Sequence, residues 1–183
     1  SEEIKYAIDK KILLINAESK SEIKEIDRLA RVKKRIVQVG IRLNPNTDAK
    51  TLKQISTGKK ENKFGVNNKT FIELVNYCKN SNYIDLKCLS VHIGSQILDH
   101  KPYKKMLDVV SKVINKTQYN FQYIDLGGGM GISYDDNNNK LNYKEYNSAI
   151  KKFLSLHKSK IIFEPGRSII GNTGILVSKI IYI

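Results

Sequence analysis

The chain reads as an α/β fold around a parallel sheet, and three observations predict it. Apolar runs of strand length alternate with stretches whose apolar residues recur at helical spacing, the rhythm of βαβ crossovers. The runs end in clusters of glycine and polar residues, which is where ligands bind in such folds. Finally, 183 residues with 40% hydrophobic content can bury a core, at a size of about one domain.

Ser1 to Lys11 is a charged amphipathic stretch, and Ile12 to Asn16 (ILLIN) is the first strand. Ser19 and Glu22 form a capping box that starts a helix, in which Ile23, Ile26, Leu29 and Ala30 make the apolar face. Lys33, Lys34 and Arg35 suit its C-terminus. Ile36 to Leu43 is the second strand, stopped by Asn44-Pro45-Asn46, and a long polar loop holding Ser56-Thr57-Gly58 and Asn62 to Gly65 follows. Phe71, Leu74, Val75 and Cys78 share a helical face, and Leu86 to Ile93 is the third strand. Tyr103, Met106, Leu107, Val110, Val113 and Ile114 repeat at i, i+3, i+4 and i+7, a helix before the strand Phe121 to Leu126. Past a polar loop at Asp135 to Lys140, Tyr143 to His157 is helical, Ile161 to Phe163 is a strand, and Gly174 to Ile183 is a last strand with no helix after Arg167.

Composition excludes several classes. Cys78 and Cys88 fit neither a disulfide framework nor a close-spaced metal-ligand pair, and they point to a reducing cytoplasm. No run approaches the roughly 20 apolar residues of a membrane span, and the first segment is no signal peptide. The net charge of +14 invites a nucleic-acid reading, but 27 of the 32 cations are Lys, spread over the polar faces of nearly every helix. Only Arg28, Arg31, Arg35, Arg42 and Arg167 could grip phosphate bidentately, so the charge reads as a solvated surface without a nucleic-acid or membrane partner.

The strand exits carry the chemistry. They are Asn16-Ala17-Glu18, Arg42-Leu43-Asn44, His92 to Gln96, Asp125 to Gly129, and Glu164 to Ser168. Gly127, Gly128 and Gly129 let backbone approach an anion, with amides forming a nest for phosphate, although glycine loops often make only tight turns. The stretch DLGGGMGI lacks the Lys-Ser or Lys-Thr of a P-loop and the helix that opens behind a dinucleotide fingerprint, which leaves a mononucleotide-like phosphate such as a cofactor's. His92 alone reads as a structural histidine, but Gly94 and Ser95 beside it offer backbone and a hydroxyl to an anion. Glu164 and Arg167 could be a local salt bridge; at a strand exit they could instead hold a protonated ring nitrogen and grip a phosphate or carboxylate.

INAES (Ile15 to Ser19), IRLNPN (Ile41 to Asn46), ISTGKKENKFG (Ile55 to Gly65), HIGSQI (His92 to Ile97), DLGGGMGI (Asp125 to Ile132) and EPGRSI (Glu164 to Ile169) occur in this order along nearly the whole chain. Together they resemble the pyridoxal-phosphate decarboxylases with an alanine-racemase-like barrel, most closely the branch acting on diaminopimelate. The resemblance implies a partial (β/α)8, TIM-type barrel, about five of eight parallel strands, running into the first strand of a β-rich domain. Residues 1–173 would be the C-terminal part of the pyridoxal-phosphate barrel and 174–183 the start of that second domain. The implied activity is decarboxylation of meso-2,6-diaminopimelate to L-lysine and CO2.

Carried over residue by residue, the resemblance has His92 stacking on the pyridine ring and Ser95 with Gly127, Gly128 and Gly129 holding the cofactor phosphate. Glu164 would pair with the pyridinium nitrogen, Pro165 and Gly166 beside it would also bind the cofactor, and Arg167 would reach the phosphate and a substrate carboxylate. No catalytic residue is assigned, because the family's Schiff-base lysine lies upstream of anything matching here and its catalytic cysteine lies in the second domain; Cys78 and Cys88 match neither. The chain thus resembles the middle of an enzyme, inactive by itself, whose full-length form is a homodimer. The alternatives are a related ornithine, arginine or carboxynorspermidine decarboxylase of the same fold, or a non-catalytic remnant that binds a polyanion.

Overall fold

A computed structural model describes residues 1–49, 57–58, 64–134 and 140–183. Helix α1 (Glu2–Lys10) is followed by β1 (Ile15–Ala17), α2 (Lys20–Val32), β2 (Val37–Arg42), α3 (Asn68–Lys79), β3 (Ile84–Ser90), α4 (Lys101–Thr117), β4 (Tyr123–Asp125), α5 (Tyr143–Leu156), β5 (Lys160–Ile162) and the short α6 (Arg167–Ile170). The five strands form one sheet in the order β1-β2-β3-β4-β5, every pair parallel. Successive order with helical crossovers is the pattern of a (β/α) barrel wall, and it brings all strand exits to one rim.

The helices form where the pattern places them, and their ends have physical causes. Ser19 Oγ accepts the Glu22 N–H at 3.1 Å, while the Glu22 carboxylate accepts the N–H of Glu18 at 2.8 Å, so the capping box closes one residue further back than the motif implies. Asn67 caps α3 by accepting the Thr70 N–H at 2.9 Å. Pro102 opens α4, where a missing N–H costs nothing, and the left-handed Gln118 ends it. One core runs between helices and sheet, from Ile23, Ile26 and Leu29 on α2 through Phe71 and Leu74 on α3 to Met106 and Val110 on α4, against Val39, Ile41, Leu89 and Ile124 of the strands. Asp27, buried on α2, joins that helix to the end of α3 by accepting from Tyr77 Oη at 2.8 Å and Ser81 Oγ at 2.6 Å.

Three expectations shift. The first strand starts at Ile15, and Ile12 and Leu13, expected inside it, are exposed beyond the end of α1. A helical turn, α6, follows Arg167 where none was expected. Gly174 to Ile183 is not a strand: it pairs with none of the described strands, and Ile175 and Leu176 are 90% and 95% exposed. Its β-branched residues favour a strand only when a neighbour supplies ladder bonds and a packing surface, and none of the described strands lies against it. The polar loop at Asp135 to Asn139, and Ile55, Ser56 and Lys59 to Lys63 of the earlier loop, lie outside the described residues.

Candidate functional site

At the rim of strand exits, Asn16, Glu18, Arg42, Ser90, His92 and Glu164 line a cleft of about 340 Å³. These residues come from the ends of β1, β2, β3 and β5, so four crossovers must fold before the cleft exists. A larger hollow of about 400 Å³ lies at the amino ends of β1 and β2, between Ile8, Ile12, Ile15 and Ile36, and contains none of the strand-exit residues.

The centre of the rim is Asp125, at the end of β4 and only 1% exposed. Its carboxylate accepts from Asn16 Nδ2 at 3.0 Å, from Ser90 Oγ at 3.3 Å and from the Gly127 N–H at 2.9 Å, tying the exits of β1, β3 and β4 together. Asn16 has room for this because β2 carries Gly40 opposite it: a Cβ there would stand 1.9 Å from Asn16 Oδ1. The register of β2 against β3 shifts at that same glycine.

The glycines after Asp125 are packed against the exits of β3 and β5, Gly127 and Gly129 against the first and Gly128 against the second. A Cβ on Gly127 would lie 2.6 Å from His92 Nδ1, one on Gly128 2.1 Å from the Glu164 carbonyl oxygen, and one on Gly129 2.1 Å from the Gly94 carbonyl oxygen. Gly127 and Gly129 also have φ of +64° and +86°, which side chains resist. The glycines therefore allow three loops to touch. Their hydrogen bonds follow: the Gly128 N–H donates to His92 Nδ1 at 3.2 Å, the Glu164 N–H to the Gly127 oxygen at 2.9 Å, and the Ile97 N–H to the Gly129 oxygen at 2.9 Å. Gly127 and Gly128 have thus committed their amides inside the protein, and a three-amide nest is reduced to the Gly129 N–H.

His92 stands half-buried at the exit of β3, its imidazole pushed toward the neutral form by burial and then by the Arg42 charge. Thr57 Oγ1 donates to its carbonyl oxygen at 2.8 Å, and the amides of Thr57 and Gly58 both donate to the Ile93 oxygen at 3.1 Å, which holds Thr57 and Gly58 against His92 and Ile93. Arg42 is fixed from three sides. It donates to Glu18 Oε1, its guanidinium lies 5.2 Å over the Phe64 ring, and its carbonyl oxygen accepts from the Val66 N–H at 2.8 Å.

Glu164 faces the cleft from the loop after β5. Partial burial, and then the neighbouring Asp125 carboxylate, raise its pKa above the ordinary carboxylic range, against a smaller opposing pull from Arg42. Pro165 and Gly166 are exposed beside it, and a Cβ on Gly166 would meet nothing within 4 Å. Arg167 lies on the other side of the loop, donating to Gln96 Oε1 at 3.3 Å with its guanidinium 5.8 Å over the Tyr134 ring. Ser95 is half-buried between Gly94, which touches Gly129, and Gln96, which holds Arg167. The fold therefore brings His92, Gly127, Gly128 and Glu164 into direct contact and reaches Ser95 and Arg167 through one intermediate residue each. Sequence reasoning passed over Asp125, Asn16, Glu18 and Gln96, whose only signal was their place at strand exits.

Residues 1–171 match the family model described as "Pyridoxal-dependent decarboxylase, pyridoxal binding domain". The chain is 36% identical over 181 residues to the diaminopimelate decarboxylase of Aquifex aeolicus, covering 97% of this chain and 43% of that protein. It is 37% identical over 183 residues to the diaminopimelate decarboxylase of Helicobacter pylori, covering 98% and 45%. The crystal structure of the Helicobacter pylori enzyme complexed with L-lysine superimposes with a TM-score of 0.87 at 38% identity, over 92% of this chain and 43% of that one. An arginine decarboxylase of a Chlorella virus shares the fold at 21% identity with a TM-score of 0.71. The chain thus spans somewhat less than half the length of the curated relatives it matches. With its five parallel strands and the glycine-laced rim, the chain belongs to the pyridoxal-dependent decarboxylases, matching their pyridoxal-binding domain.

Proposed function

We propose that this chain is the cofactor-binding segment of a pyridoxal-phosphate-dependent decarboxylase that converts meso-2,6-diaminopimelate to L-lysine and CO2. One observation carries the reading: His92, Glu164 and the Gly129 N–H, which has no partner among the described residues, converge on one rim, offering a flat ring, a carboxyl and an anion donor to a single small molecule. That set fits a phosphorylated pyridine. The identity of 34–37% with diaminopimelate decarboxylases along the whole chain supports the substrate.

Bound pyridoxal phosphate supplies the electron sink for loss of CO2. In this reading His92, kept neutral, lies against the ring face, and Glu164 holds the proton at the ring nitrogen. Asp125 beside Glu164 adds negative potential there. Ser95 and the Gly129 N–H bind the phosphate, Gly127 and Gly128 hold that loop in place, and Pro165 and Gly166 keep Glu164 at the rim. Arg167, hinged on Gln96, grips the phosphate or a substrate carboxylate bidentately.

The lysine that attaches the cofactor and the remaining barrel strands belong, in this proposal, to sequence outside the chain, as does the rest of the β-rich domain that 174–183 begins. Residues 1–173 are the barrel part, in keeping with a family match that ends at 171. Among the described residues no helix is long and apolar enough to cross a membrane. A cytoplasmic homodimer completes the reading.

The test is full-length protein supplied with pyridoxal phosphate and assayed for CO2 release from diaminopimelate, ornithine and arginine. A visible absorbance band of bound cofactor and release from diaminopimelate alone are expected. Absence of the band, or preference for ornithine or arginine, overturns the reading. The isolated chain is expected to release no CO2.

A further inference from the structure

Tyr103 is 0% exposed on α4, in the helix layer behind the sheet, and stacks on Tyr146 with ring centroids 4.3 Å apart. Such a position asks only for an apolar ring, so its hydroxyl needs a partner. It donates to the Gly128 carbonyl oxygen at 3.0 Å, and burial pushes its pKa up, so it stays a donor at any physiological pH.

That bond falls at a decisive place. The three glycines carry six backbone polar groups, and five are matched inside the protein: the amides of Gly127 and Gly128 by Asp125 and His92, and the oxygens of Gly127, Gly128 and Gly129 by Glu164, Tyr103 and Ile97. Only the Gly129 N–H has no partner among the described residues. It belongs to the same peptide unit as the Gly128 oxygen, and that unit is trans, so the two groups point in opposite directions. With the oxygen drawn toward the helix layer, the N–H faces away from it, toward the rim where His92 and Glu164 stand. Neither flanking residue has a Cβ to restrain rotation of that peptide plane.

We propose that Tyr103 is the positioning residue that aims the Gly129 N–H at the phosphate of the bound ligand. The proposal rests on the function proposed above. Tyr103→Phe keeps the ring, its volume and its stacking while releasing the peptide, so the loss falls on the phosphate and not on the ring of the ligand.

The test compares pyridoxal phosphate with pyridoxal, which lacks the phosphate, by absorbance titration of full-length protein. Y103F is expected to weaken pyridoxal phosphate about tenfold, the loss of one well-aimed donor to an anion, and to leave pyridoxal within about a factor of two. Y146F removes a buried hydroxyl that has no hydrogen-bond partner among the described residues and is expected to change neither. Equal weakening of both ligands by Y103F, or unchanged binding of pyridoxal phosphate, overturns the role of Tyr103 alone. Wild-type protein that binds the two ligands equally overturns the phosphate site itself. If Y103F fails to fold, wild-type protein labelled at glycine amides decides: inorganic phosphate is expected to move the Gly129 resonance and leave Gly127 and Gly128 in place, and the reverse overturns the proposal.

Discussion

The Gly128 N–H donates to Nδ1 of His92 at 3.2 Å, so the loop after β4 sets the tautomer of the histidine after β3. With Nδ1 accepting, the neutral ring carries its proton on Nε2. Protonation of Nδ1 would break this bond, and burial and the Arg42 charge oppose it as well. The His92 midpoint in an imidazole NMR titration is therefore expected below 6.5, and Arg42→Gln is expected to move it upward. Because the folded value is depressed, the unfolded chain takes up the proton first as pH falls. His92, and His157 whose pKa burial also lowers, then make stability fall from about pH 6.5 downward until the folded midpoints are passed.

Asp125 joins three strand exits through Asn16, Ser90 and Gly127. Asp125→Ala leaves these buried donors without an acceptor, at an expected cost of about 3 kcal/mol in denaturant unfolding. The effect on Glu164 has the opposite sense. Asp125 raises the Glu164 pKa, so Asp125→Asn is expected to bring the Glu164 carboxyl titration, followed by NMR, back toward the ordinary range. A Glu164 midpoint that does not move would mean that partial burial alone holds it up.

Gly128 and Gly166 contrast a glycine packed against backbone with one that faces open space. A Cβ on Gly128 would stand 2.1 Å from the backbone oxygen of Glu164, whereas one on Gly166 would meet nothing within 4 Å at a φ of −109°. Gly128→Ala must push β4 and β5 exits apart and is expected to cost about 3 kcal/mol, the upper range for overpacking. Gly166→Ala is expected to stay within about 0.5 kcal/mol. Thermal melts of the two variants check both.

What the sequence makes legible follows from the range of the interactions. Apolar periodicity is local, so ILLIN, IVQVGIRL and the Tyr103 to Ile114 face place the strands and helices to within a few residues. The capping residues Ser19 and Glu22 work through bonds spanning three and four positions. The family motifs at the strand exits mark the rim for the same reason. Asp125 is different: its partners Asn16 and Ser90 are 109 and 35 residues away, and nothing in DLGGG announces them. Tyr103 reads correctly as a core position, but its hydroxyl acquires meaning only when Gly128 is set against it. Gly174 to Ile183 shows the converse, since strand propensity without a partner strand makes no strand.

The two cysteines make the order of unfolding observable. Cys88 lies inside β3, paired with Gly40 of β2 and Tyr123 of β4, and Cys78 lies on the buried face of α3. Burial, reinforced for Cys88 by Asp125 and for Cys78 by Asp27, pushes both thiols up to about 12. The thiolate is the reactive form, so native protein is expected to leave both unlabelled by a disulfide reagent over minutes, with two thiols titrating in denaturant. Under native conditions, labelling then waits on opening. Helix α3 packs on one face of the sheet, whereas exposing Cys88 requires β3 to part from both neighbours. Cys78 is therefore expected to label before Cys88, and mass spectrometry of partly labelled protein distinguishes them. Simultaneous labelling would show that the helix layer and the sheet open as one cooperative unit.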